Sequence, residues 1–367
     1  MKWLLLCVPA ALFLRWSDAD PMLVFAMSLA AIIPLVECMG AATDHLAAKF
    51  GSTVGGLLNS TLANAPELII GLVALSNGLG AVVKASLTGS IMVNLLVGLG
   101  ISLVWGGLKY GPQRTDEKNL RVNTSMLMIC AFCLIVPAVF KIGTPEGTRG
   151  LSTEISIVLL CIYCLNVGVT LFTRQPATGL LPDDSQAEHG PAWSTGKSLA
   201  VLAVSGGLLA LVSDALSESL SPTAKQLGLS NTFSGIMLLG GVGGIGEVLT
   251  AVRFARAGRP MLVLSTTVGS TIQMVLMVAP LLVFAGLFMG EPMDLAFTSF
   301  EVVAIVLAVI ITRELILDGN SSWFEGVLLL GVYAILAIGF FHLPDSVVDA
   351  EEDRSTLQGE AAPGATR

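Results

Sequence analysis

Long apolar stretches separated by short polar breaks run through almost the whole chain. Each stretch holds roughly 20 residues, the length that an α-helix needs to cross a bilayer, and none alternates as a strand would. Because only helices and closed barrels satisfy their backbone hydrogen bonds in lipid, the stretches are predicted to be membrane helices. We predict about eleven of them, near residues 3–15, 21–41, 54–78, 82–107, 122–141, 151–173, 198–217, 231–252, 261–288, 297–317 and 323–343.

The composition excludes a water-soluble fold. Hydrophobic residues make up 54% of the chain and charged residues 13%, with a mean hydropathy of +0.81, whereas soluble domains carry about 25% charged residues. The net charge of −8 is concentrated in the loops and in the tail after Pro344, and it gives no indication of nucleic-acid binding. The expected fold class is an all-α integral membrane protein embedded in the lipid bilayer.

The distribution of basic residues indicates an orientation. Most of the 19 Lys and Arg residues fall in predicted loops on the same side as the N-terminus, and cytoplasmic loops carry an excess of these residues. We therefore expect a multi-pass protein with its N-terminus in the cytoplasm and its C-terminus outside. The expected location is the inner membrane of a bacterial cell.

The chain repeats itself at an offset of 180 residues, the separation of Glu67 from Glu247. An odd number of predicted helix steps lies between these two acids, so the second copy enters the membrane from the opposite side. Two inverted five-helix repeats plus an N-terminal helix are therefore expected, an architecture of secondary transporters. The recurring positions are Gly55, Glu67, Gly78, Gly89 and Ser90, which return as Gly235, Glu247, Gly258, Gly269 and Ser270.

The repeat divides the chain into five predicted parts. The connection between the two repeats is acidic, because it carries Asp183, Asp184 and Glu188. The parts are an N-terminal helix (1–20), a first membrane repeat (21–174), an acidic cytoplasmic linker (175–197), a second, inverted membrane repeat (198–343) and an acidic disordered tail (344–367).

Glu67 and Glu247 are expected near the middle of the membrane, since each follows a long run without charge. An ionised carboxylate at this depth costs about 2.5 kcal/mol or more unless it is compensated. Neighbouring residues add neutral oxygens, and Ca²⁺ accepts about six to eight oxygen ligands, whereas zinc and copper favour imidazole or thiolate. The neutral candidates are Asn64, Ser90, Asn94, Ser270 and Gln273.

Two carboxylates also suggest the coupled ion. One Ca²⁺ or two protons neutralise the pair, so the loaded site can reorient across the membrane. The empty, doubly charged site cannot, because desolvation of its charges costs too much. The sequence therefore predicts that Glu67 and Glu247 alternately bind a cation and protons.

The chain resembles the calcium/proton antiporters of the cation exchanger family, in the calcium/cation antiporter superfamily. This resemblance implies ten core helices in two inverted halves plus one N-terminal helix, with Glu67 and Glu247 as the cation and proton ligands. Asn64, Ser90, Asn94, Ser270 and Gln273 also fall on family positions. The resemblance is carried by ECMGAATDHLAAKFGSTVGGLLNSTLANAPELIIG at 37–71, VVKASLTGSIMVNLL at 82–96, VGSTIQMVLMVAPLLV at 268–283, and EPMDLAFTSFEVVA with DGNSSWFEGVLLL at 291–304 and 318–330.

Departures from the family pattern fall at the site itself. Gly244 replaces the asparagine of the second motif and Val248 replaces the histidine that follows its glutamate, while Arg253 is a further unusual residue. In the first motif, Ala63 and Pro66 replace glycine and threonine. The loss of an amide and an imidazole is expected to retune coordination while both carboxylates remain.

The leading hypothesis is exchange of calcium, or a related cation, for protons by alternating access, with no cofactor beyond the transported ions. A sodium/calcium exchanger with a different ion preference is the near alternative, and a cation channel or a family member that binds cations without transport are others. An enzyme is not expected, because the helices hold no Ser/His or Asp-pair arrangement. The sequence allows a homo-oligomer without determining the number of subunits.

Overall fold

The computed structural model describes residues 2–115, 117–140, 145–173 and 193–344. Nearly all of them are helical, and the two strands among them, Gln113–Arg114 and Asn320–Ser321, form one short antiparallel pair. The acidic linker, with Asp183, Asp184 and Glu188, lies almost wholly outside the described residues, as does the predicted tail beyond Pro344.

The helices follow one another with short connections, and two of them are broken near their middles. We number them in chain order. They are α1 (Cys7–Trp16), α2 (Pro21–Ala47), α3 (Gly51–Ala63), α4 (Ala65–Ser76), α5 (Gly80–Tyr110), α6 (Glu117–Val139), α7 (Pro145–Thr173), α8 (Thr195–Leu227), α9 (Asn231–Gly243), α10 (Ile245–Arg256), α11 (Pro260–Met289), α12 (Ser299–Ile316) and α13 (Trp323–Phe341).

Eight spans of the described residues are long and apolar enough to cross a membrane. One of them, Leu57–Ser76, combines most of α3 with α4, and the count rises to nine if the bent pair α9 and α10 is one further span. The shorter apolar helix Trp3–Trp16 lies below the length needed. An α-helical membrane fold is thereby confirmed, and the observed helices overlap every stretch predicted from the hydrophobic pattern.

The predicted end of the helix at 198–217 is wrong. Helix α8 continues to Leu227 with Pro222 inside it and ends at Gly228, whose φ of 65° is the left-handed conformation that glycine adopts readily. Ser217 and Ser219, at the predicted end, are both buried inside the protein. A polar face that packs inside the protein does not end a membrane helix.

Two helical breaks, at Asn64 and at Gly244, share one backbone geometry. Asn64 has φ −86° and ψ 6°, and Gly244 has φ −73° and ψ 2°. The next helix starts at once in both cases, because the amides of Leu68 and Val248 each bond to the carbonyl of the break residue at 3.1 Å. Helices α9 and α10 are bent by 49°.

Helices α5 and α11 form the centre of the protein, with 72% and 61% of their most apolar windows buried. Glycines let α5 cross α9 with the backbones in contact. A Cβ placed on Gly89 would lie 1.9 Å from the carbonyl oxygen of Ile236, and a Cβ on Gly240 would lie 2.6 Å from the Cα of Gly89. This crossing brings the broken helix α9–α10 against the middle of α5.

Helices α1, α2 and α8 pack together as a second group around a separate apolar cluster that includes Ile32 and Leu216. Arg15 of α1 pairs with Asp214 at 2.6 Å and with Glu218 at 2.8 Å on α8. Asp214 also accepts a hydrogen bond of 2.9 Å from Asn77, which follows α4. This last contact links the second group to the helix that carries Glu67.

Candidate cation site

Glu67 and Glu247 occupy equivalent places in the two broken helices. Glu67 is the third residue of α4 and Glu247 the third residue of α10, so each lies in the first turn after a break. The positive end of a helix dipole stabilises a carboxylate in this turn. Both side chains are buried, with 6% and 5% exposure, and their carboxyl groups face each other at interaction distance.

The two carboxyl groups differ in their partners. Among the described residues, no amide, hydroxyl or basic group donates to either oxygen of Glu67 although both are buried, whereas Oε1 of Glu247 accepts a bond of 3.3 Å from the Ser270 hydroxyl. A buried carboxylate without a donor is costly, so the arrangement favours a bound cation or proton at Glu67. Glu301, by contrast, is buried but is satisfied by its capping box with Thr298.

A chain of amide and hydroxyl groups connects the first break to Glu247. The Ser270 hydroxyl lies 2.9 Å from Oδ1 of Asn64, and Nδ2 of Asn64 donates to Oε1 of Gln273 at 3.0 Å. Gln273 in turn donates to the Ser60 hydroxyl at 2.7 Å. Sequence analysis missed Ser60, although its position one helical turn before Asn64 was a usable signal.

Ser90 and Asn94 approach from α5 on the other side of the carboxyl pair. The Ser90 hydroxyl donates to the Gly240 carbonyl at 3.0 Å and lies 2.8 Å from the place of a Cβ on Gly243. Asn94 is fully buried, and neither its amide nitrogen nor its amide oxygen has a partner. The structure thus gathers all seven predicted site residues around the two breaks.

The two departures within the second family motif, Gly244 and Val248, have different surroundings in the structure. A Cβ on Gly244 would lie 3.0 Å from Oδ1 of Asn94 and 3.2 Å from Val93, so the Asn94 amide already occupies the space beside this position. Val248 is buried, and its Cγ2 would lie 3.3 Å from a Cβ on Gly98. Residue 248 therefore packs on α5 and adds no polar atom to the site.

Access to the site is uneven. A cleft with a cavity volume of about 140 Å³ reaches Glu247, Ser270 and Gln273, and it is also lined by Glu37 and Arg253. A second cavity of about 10 Å³ lies beside Glu67 and Ser90. A cavity needs roughly 10–15 Å³ to hold one water molecule. Water therefore reaches the carboxyl pair from the large cleft.

A comparison with known families decides the identity of the chain. The family model described as sodium/calcium exchanger protein matches residues 21–172 and again residues 197–341. The chain belongs to the sodium/calcium exchanger family. This exchanger-family assignment confirms the resemblance seen in the sequence motifs.

Relatives of this exchanger-family protein cover nearly all of its length. It is 38% identical to the Ca²⁺/H⁺ antiporter of Aphanothece halophytica over 93% of this chain and 96% of the relative. It is 37% identical to the Ca²⁺/H⁺ antiporter ChaA of Bacillus subtilis over 90% of this chain and 94% of the relative. The structure of native YfkE matches with a TM-score of 0.79 and 34% identity, over 92% of this chain and 97% of that one.

Proposed function

We propose that this protein exchanges calcium for protons across the membrane, with Glu67 and Glu247 as the shared binding groups. The observation that carries the proposal is a set of buried polar atoms on Glu67 and Asn94, beside the two helical breaks, for which the described part of the chain supplies no donor to Glu67 and no partner to Asn94. Buried polar groups are ordinarily hydrogen-bonded, so a ligand is expected to satisfy them. A cation needs acceptor oxygens, and a proton needs a carboxylate.

The donor set fits calcium as the transported cation. The two carboxylates provide the charge, and Asn64, Ser90, Asn94, Ser270 and Gln273 supply the neutral oxygens, within the about six to eight that Ca²⁺ accepts. Among the described residues, no group of three or more His, Cys, Asp and Glu side chains is placed to hold a metal ion. The antiporter names of the relatives from Aphanothece halophytica and Bacillus subtilis support calcium and protons as the substrates.

Two inverted repeats account for the matched features of the halves. At the offset of 180 residues, Asn64 corresponds to Gly244, and Gly78 (φ 73°) corresponds to Gly258 (φ 70°). Gly78 lies beside Glu291 just after α11, while Gly258 lies against Tyr110 at the end of α5. Such reciprocal contacts are expected of a two-fold relation.

The length of α5 supports the inversion. Helix α4 ends near the start of α5, whereas α10 ends beside Tyr110 at the other end of α5. At 1.5 Å per residue, the 31 residues of α5 span about 46 Å. The helices that carry the two glutamates therefore run in opposite directions. We infer ten core helices in two halves near 21–174 and 198–343, plus the N-terminal helix, and the two stretches of the family match support this division.

The uneven cavities support alternating access. The large cleft opens at the end of α2, which the basic loops predict to be cytoplasmic, so we infer that this conformation is open to the cytoplasm. On the opposite side, the hydroxyls of Ser213, Ser217 and Thr223 on α8 are buried and find no partner among the described residues. We infer that these hydroxyls are hydrated when the site faces outward, with α2 and α8 moving against the broken helices.

The closed outer side argues against a channel, because a channel requires a continuous pore. A sodium/calcium exchange mode is less well supported, since the glycines at 243, 244 and 246 offer few side-chain oxygens for additional sodium ions.

Calcium uptake into everted membrane vesicles tests the proposed function. Uptake is expected when an imposed proton gradient acidifies the lumen, and it should collapse when a protonophore dissipates the gradient. Sodium and potassium at tenfold or higher excess serve as competitors. Uptake that a sodium gradient drives and a proton gradient does not would replace the proposal with sodium/calcium exchange.

A cross-link across the outer side tests alternating access. In a background without the six native cysteines, N77C and D214C are expected to react with a short bifunctional thiol reagent, because the native side chains lie 2.9 Å apart. The cross-link should stop transport and leave calcium binding from the cytoplasmic side intact, since the cleft stays open. Transport is measured before and after a reducible cross-link is cleaved.

The matched control joins two residues within the second helix group. R15C with D214C bridges a pair whose charged groups lie 2.6 Å apart. Since α1 and α8 belong to the same group, this cross-link should leave transport nearly unchanged. Continued transport with the N77C and D214C pair fully cross-linked would contradict the proposed movement.

A further inference from the structure

We propose that Arg253 lowers the affinity of the ionised site for calcium by repelling the divalent cation from the cytoplasmic cleft. The proposal rests on the proposed function and names a residue that tunes calcium affinity within it. Arg253 is exposed and lines the same cleft as Glu247. A fixed positive charge on the route of a cation is unfavourable, so its presence there requires a reason.

The position of Arg253 places its charge close to the site without contact with the ligands. It follows Glu247 by six residues on α10, which corresponds to about 9 Å along the helix axis. Arg253 forms no ion pair within the part of the chain that the structure describes. No carboxylate of the described residues neutralises its charge, which therefore acts on ions in the cleft.

Other charges face the cleft from α2. Glu37 and Asp44 line the wall opposite α10, and Asp44 has a partner of its own. The two acids attract cations electrostatically and Arg253 repels them, so charges of both signs line the cleft. Removal of Arg253 alone leaves two acids and the site glutamate lining it.

The size of the effect depends on the charge of the ion. At about 9 Å in a water-filled cleft, Coulomb repulsion by one positive charge weakens binding of a divalent ion by about three- to fivefold at low salt. The same charge weakens binding of one proton by about the square root of that factor, so the binding of two protons is weakened as much as that of one Ca²⁺. The effect of Arg253 is therefore expected in calcium binding measured at a pH at which both carboxylates are ionised, and salt should reduce it because salt screens charges.

A charge series at residue 253 tests the proposal. Equilibrium binding of radioactive calcium to the purified full-length protein in detergent is measured for wild type, R253K, R253Q and R253E at low and high salt. We expect R253K to match wild type, R253Q to bind calcium about three- to fivefold more tightly at low salt, and R253E to gain a second step of similar size. The steps should shrink to less than about twofold near 0.5 M salt.

Two outcomes separate this inference from the proposed function. Equal calcium affinity of R253K, R253Q and R253E at low salt, with binding clearly present, would overturn the role of Arg253 and leave calcium/proton exchange standing. Absence of calcium binding in wild type, R253K and R253Q alike would instead remove the proposed function. A change of calcium affinity in R253K as large as that in R253Q would indicate a packing role and would also overturn the proposal.

Discussion

Replacement of Glu247 or Glu67 by glutamine is expected to abolish proton-driven calcium uptake, with a fall of at least about a hundredfold. Each change leaves one carboxylate at the site, so bound Ca²⁺ would carry an uncompensated positive charge in a low-dielectric region. Glutamine also cannot release a proton. The initial rate of calcium uptake into everted vesicles, normalised to the amount of inserted protein, measures the effect.

Glu154→Gln is the matched control, because Glu154 is an exposed acid on α7 and the chemical change is the same. This control should transport at the wild-type rate. Retention of a substantial part of the uptake in Glu67→Gln, with normal membrane insertion, would show that this carboxylate is not a required ligand and would remove the pair from the mechanism.

Gly89→Ala is expected to destabilise the protein by about 3 kcal/mol or more, at or above the upper end for overpacked sites. The added methyl group would lie 1.9 Å from the Ile236 carbonyl oxygen, which belongs to the backbone of α9 and cannot rotate away. Helices α5 and α9 would have to separate, and Ser90 would lose its contact with Gly240. Thermal melting in detergent, followed by size-exclusion chromatography, measures the loss.

Gly241→Ala on α9, the helix that Gly89 contacts, is the control variant. No atom of another described segment lies within 4 Å of a Cβ on Gly241, so alanine should be neutral or should stabilise the helix by about 0.5–1 kcal/mol. A Gly89→Ala melting temperature within about 2 °C of wild type would show that the crossing can relax, contrary to the packing described.

The positions of the helices and of the site residues were predictable because each rests on a local signal. Membrane helices appear as apolar runs, and Glu67 and Glu247 stand out as acids within them. The breaks at Asn64 and Gly244 were not predicted, because the apolar runs at 54–78 and 231–252 pass through them, and the shared backbone geometry became visible only in the structure.

Other features depend on contacts between distant segments, and no local pattern reveals them. The extension of α8 through Pro222 depends on buried packing of its polar face. Asn94 lies beside Gly244, and Val248 packs on α5, because α10 crosses there. Under the proposed alternating access, one sequence encodes two conformations, and no local pattern tells which of them is observed.

Glu37 and Asp44, which line the cleft together with Glu247, have no acidic counterparts in the other half of the chain. Under the proposed two-fold relation, Glu37 corresponds to Ser217 and Asp44 to Ala224, while Arg253 corresponds to Val73. An outward-facing cleft built from these positions would be electrically neutral along its walls. Calcium capture would then depend strongly on ionic strength on the cytoplasmic side and only weakly on the other side, although the ion occupies the same site from both directions.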